Sequence, residues 1–380
     1  MSWQECDRVS LRREFVCLAI VEGSNMSVLC RRFGIARKTG YKWLKRYRAE
    51  SDSGLIDQSR RPRRFHSPTS KKMEEQVLAV RDDHPSWGGR KIQRRLQDLG
   101  VTSPPAASTI TAILHRHGRI LAEDSLKHQP VQRFERSEPN ELWQMDFKGE
   151  FKMTNGRWCY PLTALDDHSR FSLILQACAN QKRVTVKEQL QNAFRRYGLP
   201  KAMLMDNGTP WAVSHRRRGF TKLTAWLLRL DIRVLHGRPY HPQTQGKEER
   251  FHRTLKTEVL RGHYFDHLKH VQSRFDPWRE VYNHERPHDA LELDVPSSRY
   301  RVSSREYPEH LPAVEYASDV EVRKANPVGQ IRFRGRTFKV SEAFAGQPIG
   351  LRRTPEDGVW KIYYCSHEIG ELDLAVEETK

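Results

Sequence analysis

Two aspartates in this chain stand where the surrounding sequence is apolar. Asp146 interrupts the apolar run at 142–147, and Asp206 directly follows the apolar run at 202–205. A charge on an otherwise apolar element is costly unless it is paired or bound to a metal. A third acid, Glu249, lies in a segment rich in cations, where a carboxylate and phosphate-binding side chains could work together.

Acids of this kind can build a metal site for phosphoryl transfer. Three carboxylates held close together repel one another unless a divalent cation neutralises them. Ligation by oxygen alone selects Mg²⁺ or Mn²⁺, and two such ions about 4 Å apart can activate an attacking oxygen and stabilise a leaving oxygen. Each acid also has an ordinary interpretation, because Asp206-Asn-Gly208 is a turn signal and the helix of Glu249 could be a salt-bridged surface. The choice depends on whether the fold brings the acids together.

The segment at 243–260 predicts a glycine-punctuated entry into an amphipathic helix. An apolar stripe occupies one side at about 100° per residue: Phe251, Leu255 and Val259. Glu249 lies on a flank roughly 120° away, whereas the adjacent Glu248 lies nearer the stripe. Glu249 is therefore the predicted metal ligand of the two. The neighbouring cations are predicted to contact DNA phosphates: Lys247, Arg253 and Lys256.

The segments that position these acids alternate between strand and helix signals. Three short apolar strands with short links predict an antiparallel meander. The wholly apolar strand at 202–205 suits a sheet buried on both faces, and 232–235 is predicted to be another buried strand. The order of strands and helices predicts a five-stranded mixed sheet with helices on both faces, and Asp206 at the carboxyl end of a strand. The predicted strands are 142–147, 158–165, 171–177, 202–205 and 232–235, and the helices are 184–197, 220–230, the helix of Glu249 and 267–283.

Four blocks of this region resemble the core of retroviral-integrase-type bacterial insertion-sequence transposases. They are Trp143-Gln-Met-Asp146, Leu162-Thr-Ala-Leu-Asp-Asp-His-Ser-Arg170, Asp206-Asn-Gly208 and His241-Pro-Gln-Thr-Gln-Gly-Lys-Glu-Glu249. The resemblance covers most of residues 141–300 and implies an RNase H-like core whose Asp-Asp-Glu triad binds two Mg²⁺ (or Mn²⁺) ions and cuts and joins DNA ends. Carried over by motif, the triad is Asp146, Asp206 and Glu249, since the family's Glu stands three residues after the glycine found here at position 246.

The chain departs from the family pattern in two respects. The second Asp and the Glu are 249 − 206 = 43 positions apart, which is longer than usual, and the surplus is expected in a basic loop at 215–218. The His-His-Cys-Cys module of retroviral integrases is not in the sequence, so zinc is not implied. Asp166 and Asp167 are expected to hold a turn and to pair with Arg170, although they could also neighbour the metals.

The first 120 residues are predicted to form two small helical units. Residues 1–55 combine a short helix that Ser27 can cap, a glycine break and a basic helix, as in helix-turn-helix DNA-binding domains; the alternative is a three-helix bundle with a solvated basic face. A basic linker at 56–67 leads to a second helix-turn-helix-like unit at 68–120, which either contacts DNA or packs against the first unit, and a polar linker covers 121–140. The cations predicted to contact DNA are Arg37, Lys38, Lys42, Lys45 and Arg46.

The bulk composition favours a polyanionic partner in a reducing compartment. The 380 residues carry a formal net charge of +19, which is typical of nucleic-acid-binding proteins. No apolar run approaches the ~18 residues of a membrane span, the N-terminus lacks a signal-peptide core, and the six scattered cysteines suit free thiols. We expect a cytoplasmic protein that is nucleoid-associated when bound to DNA.

Alternating apolar residues in the tail at 312–380 predict a small all-β barrel similar to the C-terminal barrels of integrases, for DNA or subunit contact or for a purely structural role. The whole chain is then multidomain: all-α helix-turn-helix units, an α/β RNase H-like core and a β-barrel. The predicted function is a DDE transposase that binds the terminal inverted repeats of a mobile element and catalyses Mg-dependent strand cleavage and strand transfer.

The expected partners are double-stranded DNA, from the element's ends and from the target, and further copies of the chain assembled on DNA. No membrane and no small-molecule cofactor are expected. Two alternatives stay open: a DNA-binding regulator with an inactive integrase-like core, and an RNase H-like nuclease without transfer activity.

Overall fold

The computed structural model describes residues 8–57, 69–120, 135–206, 208–211, 219–237 and 246–374. Most of both predicted linkers, the basic loop at 215–218 and the segment at 243–245 lie outside the described residues. The chain divides into two compact units, Met1–Pro68 and Thr69–Lys380. No helix in the described part of the chain is long and apolar enough to cross a membrane.

The first unit is a bundle of three helices, α1 (Arg8–Ile20), α2 (Met26–Arg32) and α3 (Arg37–Glu50), followed by a 3-10 turn at Ser51–Leu55. The prediction that Ser27 caps α2 is wrong: the side chain of Asn25 accepts hydrogen bonds from the backbone N–H groups of Ser27 and Val28. Gly34 turns the chain between α2 and α3 at a φ of +63°, which glycine adopts without strain. The buried core consists of Phe15, Val16, Ala19, Cys30, Trp43, Leu44 and Leu55.

A second helical bundle opens the other unit and contains α4 (Lys71–Asp83), α5 (Gly89–Asp98) and α6 (Ala107–Arg116). Gly89 allows α5 and α6 to cross closely, since a Cβ there would lie 2.3 Å from the Ala107 carbonyl oxygen. The bundle also packs against Val281 of the following core. Its buried residues are Val77, Val80, Trp87, Ile92, Leu96, Ile110, Ile113 and Leu114.

A mixed sheet forms the centre of the second unit. Its strands are β1 (Trp143–Phe147), β2 (Phe151–Lys152), β3 (Trp158–Asp166), β4 (Ser172–Cys178), β5 (Ala202–Met205) and β6 (Arg233–His236). The order is β4-β3-β1-β5-β6, with β1, β3 and β4 antiparallel, as predicted for the meander, and β5 and β6 parallel to β1. The five predicted strands are all present. The short β2, which pairs with the start of β3, makes the sheet six-stranded instead.

Helices cover both faces of this sheet. Successive residues of a strand point to opposite faces, so Met145 and Leu162 pack beneath α7 (Arg183–Tyr197) and α8 (Lys222–Arg229). Leu165 and Leu175 pack on the other face, against the helices α9 (Gly246–Leu255) and α10 (Leu268–His284). Asp146 follows Met145 in β1 and therefore lies on the face that α9 covers.

The helix α9 is anchored at its far end. It continues into a π-helical turn at Lys256–Leu260, and its predicted apolar stripe is buried against the sheet: Phe251, Leu255 and Val259. Glu258 in the π-helical turn accepts hydrogen bonds from Trp278 Nε1 at 2.8 Å, from Ser86 Oγ and from Arg286 Nη1. These bonds attach the end of α9 to α10 and to the segment between α4 and α5.

After a short 3-10 turn at Asp289–Leu291 and the helix α11 (Pro296–Arg299), the tail forms two separate sheets. A four-stranded antiparallel sheet has the order β12-β11-β10-β7, and β8 and β9 form a hairpin. The predicted barrel is therefore not confirmed, because these sheets do not close within the described residues. The strands are β7 (Glu321–Lys324), β8 (Gln330–Phe333), β9 (Arg336–Lys339), β10 (Pro348–Arg353), β11 (Val359–Tyr364) and β12 (His367–Asp373).

Candidate active site

Asp146 lies near the end of the central strand β1, between β3 and β5. Its Oδ1 accepts a hydrogen bond from the Phe147 backbone N–H at 2.7 Å. Burial raises the pKa of this carboxyl to about 6, and the negative charges of Asp206 and Glu249 add to the increase in pKa. The charges of Asp206 and Glu249 thus contribute to the electrostatic environment of Asp146.

Asp206 directly follows β5, at the carboxyl end of the strand that runs parallel to β1. Its Oδ1 accepts a hydrogen bond from the Gly208 backbone N–H at 3.1 Å, and burial raises its pKa. The Asp206 side chain therefore holds the turn that its Asp-Asn-Gly signal predicts, and its charge also adds to the raised pKa of Asp146. Its role as a metal ligand stays a prediction. Asn207 of the same motif lies outside the described residues.

Glu248 and Glu249 lie in the first turn of α9 in opposite environments. The Glu249 side chain is exposed, and its charge reaches Asp146. Glu248 is 1% exposed, and burial raises its pKa well above the usual range. Its Oε2 accepts a hydrogen bond from Thr163 Oγ1 at 2.9 Å. The helical position of Glu248 beside the apolar stripe is thus the one that the sequence predicts.

The donor chemistry of Asp146, Asp206 and Glu249 fits a hard divalent cation, because all three donors are carboxylates. A cation would also relieve the repulsion that raises the pKa of Asp146. Among the described residues, no three His, Cys, Asp or Glu side chains are already arranged to hold a metal ion. The carboxylates would therefore have to draw closer together around the ion.

Asp166 and Asp167 hold the turn after β3, as predicted, but the predicted partner is wrong. Asp166 accepts hydrogen bonds from the backbone N–H groups of Ser169 and Asn140. The Arg170 guanidinium pairs with Glu135, at 2.8 Å. Asp167 instead accepts hydrogen bonds from the Arg136 backbone at 2.8 Å, from Gln144 Nε2 at 2.6 Å and from Lys247 Nζ.

The three cations predicted around Glu249 divide into two kinds. Lys247 is half-buried and forms an ion pair with Asp167, which attaches the start of α9 to the turn after β3. Arg253 and Lys256 are exposed. The charge of Lys256 also lowers the pKa of Lys148, after burial as the main cause. Lys148 was missed by the sequence reasoning, although its position two residues after Asp146 puts it on the same face of the chain.

The cations predicted to bind DNA on α3 are mostly accessible. Arg37, Lys38, Lys42 and Lys45 are exposed. Arg46 is half-buried, and its Nη2 donates a hydrogen bond to the Ile56 carbonyl oxygen at 2.8 Å. Its guanidinium carbon also lies 4.9 Å from the centre of the Trp43 ring. Arg46 thus fastens the 3-10 turn to α3, a role that the sequence did not indicate.

The cations of α5 have partners within the same unit. Arg90 pairs with Asp289 at 3.3 Å, Arg94 with Asp294 at 3.3 Å, and Arg95 with Glu285. These three arginines of α5 therefore lie beside acids that follow and end α10. DNA contact by this bundle stays a prediction.

Models of known families match most of the described domains. Integrase core domain models match residues 136–242 and 230–296. An IS481 family transposase C-terminal domain model matches 320–380. A homeodomain-like domain model matches 39–114, and a helix-turn-helix domain model matches 11–63.

The chain is also similar to individual proteins. The chain is 28% identical over 159 residues to a 31.7 kDa protein of insertion element IS407 from Burkholderia multivorans, covering 42% of this chain and 54% of that protein. It is 25% identical over 281 residues to the transposase for insertion sequence element IS21 from Pseudomonas aeruginosa, covering 70% and 71% of the two chains. A chain of the simian T-cell lymphotropic virus intasome is 17% identical with a TM-score of 0.37, and the match covers 76% of this chain and 96% of that one.

Helix-turn-helix domains followed by an integrase-type, RNase H-fold core define the general class of this protein. The matches to insertion-element proteins and to the IS481 family C-terminal domain narrow that class. The chain is similar to insertion-sequence transposases with an integrase-type core. The fold predicted for the N-terminal units and for the core is confirmed.

Proposed function

We propose that this protein is a DDE transposase that cuts and joins the DNA ends of its mobile element. The observation that carries the proposal is the electrostatic coupling of Asp146 to Asp206 and Glu249 in an integrase-type core. The three acids come from β1, from the end of β5 and from the first turn of α9. In this proposal, three separate elements contribute the three carboxylates of one metal site.

The residues of the chain have distinct roles in this reaction. Asp146, Asp206 and Glu249 would hold two Mg²⁺ or Mn²⁺ ions, which would stabilise charge on the attacking and leaving oxygens. The half-buried Lys148 and the exposed Arg253 and Lys256 bind the DNA backbone and keep the scissile phosphate against the carboxylates. Water is the nucleophile for cleavage, and a DNA 3′-hydroxyl is the nucleophile for joining. No covalent bond forms between enzyme and DNA.

Recognition of the element's terminal inverted repeats belongs to the N-terminal units. The exposed residues of α3 are placed for a major groove: Arg37, Lys38, Lys42 and Lys45. Two DNA ends must be held together for transposition, so several copies of the chain assemble on DNA. The substrates are then double-stranded element ends and target DNA, and the protein acts in the cytoplasm at the nucleoid.

Strand transfer of an oligonucleotide end in the presence of Mg²⁺ tests the proposal. We expect Asp146→Asn, Asp206→Asn and Glu249→Gln each to reduce strand transfer by a hundredfold or more, as loss of a metal ligand reduces charge stabilisation by several kcal/mol. Glu188→Gln, an exposed acid on α7, is the matched control.

The same assay separates the alternatives. Cleavage of the end without joining would indicate a nuclease. Specific DNA binding without either reaction would indicate a regulator. Full activity of all three variants would exclude the proposed mechanism, and loss of activity in Glu248→Gln with a normal Glu249→Gln protein would move the ligand to position 248.

A further inference from the structure

A buried polar cluster lies directly behind the candidate active site. The Thr163 hydroxyl is 3.0 Å from the Asp146 carbonyl oxygen, 2.9 Å from Glu248 Oε2 and 2.8 Å from His252 Nε2. Thr163 is 0% exposed and Glu248 is 1% exposed. We call Thr163, Glu248 and His252 the buried triad. The proposed mechanism gives none of its side chains a role.

The hydrogen-bonding capacity of Thr163 makes the cluster directional. A hydroxyl carries one proton and can therefore donate to one neighbour only. The Asp146 carbonyl oxygen and the Glu248 carboxylate both accept, so the Thr163 proton serves only one of them at a time, and His252 Nε2 can donate to the hydroxyl. Glu248 Oε1 has no side-chain hydrogen-bond partner among the described residues. The groups around the Glu248 carboxyl are Thr163, the Leu165 backbone and His252, 3.5 Å from Glu248 Oε2.

The position of the buried triad links two predicted metal ligands. Thr163 is the residue of β3 that lies opposite Asp146 of β1 in the antiparallel register. Glu248 is the residue of α9 immediately before Glu249. A single hydroxyl therefore connects the backbone of one acid-bearing element to the helix that carries another acid.

The apolar contacts of α9 do not determine its rotation in the same way. Phe251, Leu255 and Val259 pack against the sheet, and apolar packing is non-directional. A rotation of about 100° about the helix axis would exchange the positions of adjacent side chains. Glu248 and His252 lie one turn apart on the same face of α9. Their hydrogen bonds oppose such a rotation, and they also oppose smaller rotations that would move Glu249 away from Asp146.

We propose that the buried triad is a positioning cluster that holds α9 in the rotation at which Glu249 faces Asp146 and Asp206. This inference rests on the proposed function, because it assumes that those acids bind the metal ions. Glu248 does not itself bind the ion in this proposal, because its carboxyl is turned inward to Thr163.

The chemistry of burial gives this proposal a distinctive signature. A buried carboxyl with an unpaired oxygen costs free energy, and an apolar side chain of similar length in its place is often neutral or stabilising. Glu248→Met should therefore leave stability unchanged or raise it, while metal affinity falls. If the cluster served stability alone, the same substitution would lower stability and leave metal affinity unchanged.

The primary experiment measures Mn²⁺ binding to the full-length protein without DNA, by electron paramagnetic resonance of the free Mn²⁺. Thermal unfolding of the same proteins is measured by circular dichroism. We expect Glu248→Met and Thr163→Val to need about tenfold more Mn²⁺ for half-saturation, since residues that orient metal ligands are typically worth 10–100-fold in affinity. Glu248→Gln keeps an oxygen that accepts from Thr163 and should bind Mn²⁺ as the wild type does.

Two further variants serve as references. Ser172→Ala removes a buried hydroxyl of β4 that has no hydrogen-bond partner in the described structure, and it should leave Mn²⁺ binding unchanged. Glu249→Gln should lose most Mn²⁺ binding. Should Glu248→Met fail to fold, Thr163→Val carries the same test, because valine has nearly the shape of threonine and suits a strand.

The outcomes separate the two proposals. If both Glu248→Met and Thr163→Val bind Mn²⁺ with wild-type affinity, the proposal of a positioning cluster is wrong. It is also wrong if Glu248→Gln binds Mn²⁺ as weakly as Glu249→Gln does, because Glu248 would then be a metal ligand. Strand transfer is then measured on the same proteins. If the wild-type protein binds Mn²⁺ but joins no DNA, the proposed function is contradicted. The positioning cluster would still be supported by the Mn²⁺ affinities of the variants.

Discussion

The helices α3 and α5 have similar basic sequences and opposite environments. Arg37, Lys38 and Lys42 of α3 are exposed, whereas Arg94 and Arg95 of α5 pair with carboxylates of the same unit. Both helices follow a glycine-containing turn and carry a cation at nearly every second position. A basic helix is thus a candidate for DNA binding only where its cations do not already form ion pairs with acids of the protein.

The same division runs through α9 within a few residues. Lys247 is paired with Asp167, while Arg253 and Lys256 are exposed. Exposed cations can neutralise DNA phosphates, and the release of the counterions condensed on those phosphates drives binding. Cations already paired with an acid of the protein contribute to the fold instead. Measurements of DNA affinity and of stability should therefore separate the two groups of residues.

The largest expected effect is on DNA binding by α3. A variant with Arg37, Lys38 and Lys42 all replaced by Ala should bind terminal-repeat DNA at least ~100-fold more weakly, since contacts to bases and phosphates are worth about 1–3 kcal/mol each. The slope of log affinity against log salt should also fall by about one per lost phosphate contact. Fluorescence anisotropy at several salt concentrations measures both quantities.

The control for this variant is Lys182→Ala with Arg183→Ala, two exposed cations beside and in α7. Its DNA affinity should stay within about twofold of the wild type. Equal losses in the two proteins would mean that only net charge matters, and the comparison between α3 and the other basic segments would fail.

An intermediate effect is expected at Lys247, on stability. Lys247→Ala leaves the Asp167 carboxylate, 4% exposed, without its cation, and breaking such a pair should lower the free energy of unfolding by about 2 kcal/mol. The hydrogen bonds that Asp167 keeps from Gln144 and Arg136 limit the loss. Urea denaturation measures it.

Lys256→Ala is the matched variant on the same helix. Its free energy of unfolding should stay within about 0.5 kcal/mol of the wild type, while DNA binding should weaken. If Lys256→Ala proved the less stable of the two proteins, the assignment of paired and exposed cations on α9 would be wrong.

The smallest effect is expected at α5. Arg95→Ala removes a partly exposed pair with Glu285, so it should lower the free energy of unfolding by about 0.5–1 kcal/mol and leave DNA affinity nearly unchanged. The exchanged pair Arg95→Glu with Glu285→Arg should recover most of the stability that Arg95→Glu alone loses. A loss of DNA affinity comparable to that of the α3 variant would instead make α5 a DNA-binding helix.

Local pattern predicted the fold of the core well because each strand and helix there has a clear period. All five predicted strands and the helices around them are present within a few residues of the expected bounds. The two-residue β2 escaped prediction because it is too short to show any alternation. The tail was less predictable, since β7 and β12 carry several charged residues and closure of a barrel depends on pairing between distant strands.

The acids of the candidate site could be predicted from their positions on strands and helices, whereas the residues that contact them could not. Asp146 and Asp206 stand out because each is a charge at an apolar strand. Thr163 and His252 carry no such signal, since a threonine in a strand and a histidine on a helix are ordinary. The pairing of Arg170 with Glu135 could not be predicted either, because residue 135 lies in a segment without periodicity.

The sequence by itself determined the kind of donors in this protein, the elements that carry them and the angle between adjacent side chains on α9. Helical periodicity separates Glu248 from Glu249 by about 100°, and that is enough to place one beside the apolar stripe and the other away from it. Tertiary structure alone decided which charges have partners. Whether a lysine is free for DNA or already bound to an aspartate depends on residues far away in sequence: Asp167 lies 80 positions before Lys247, and no local pattern contains that contact.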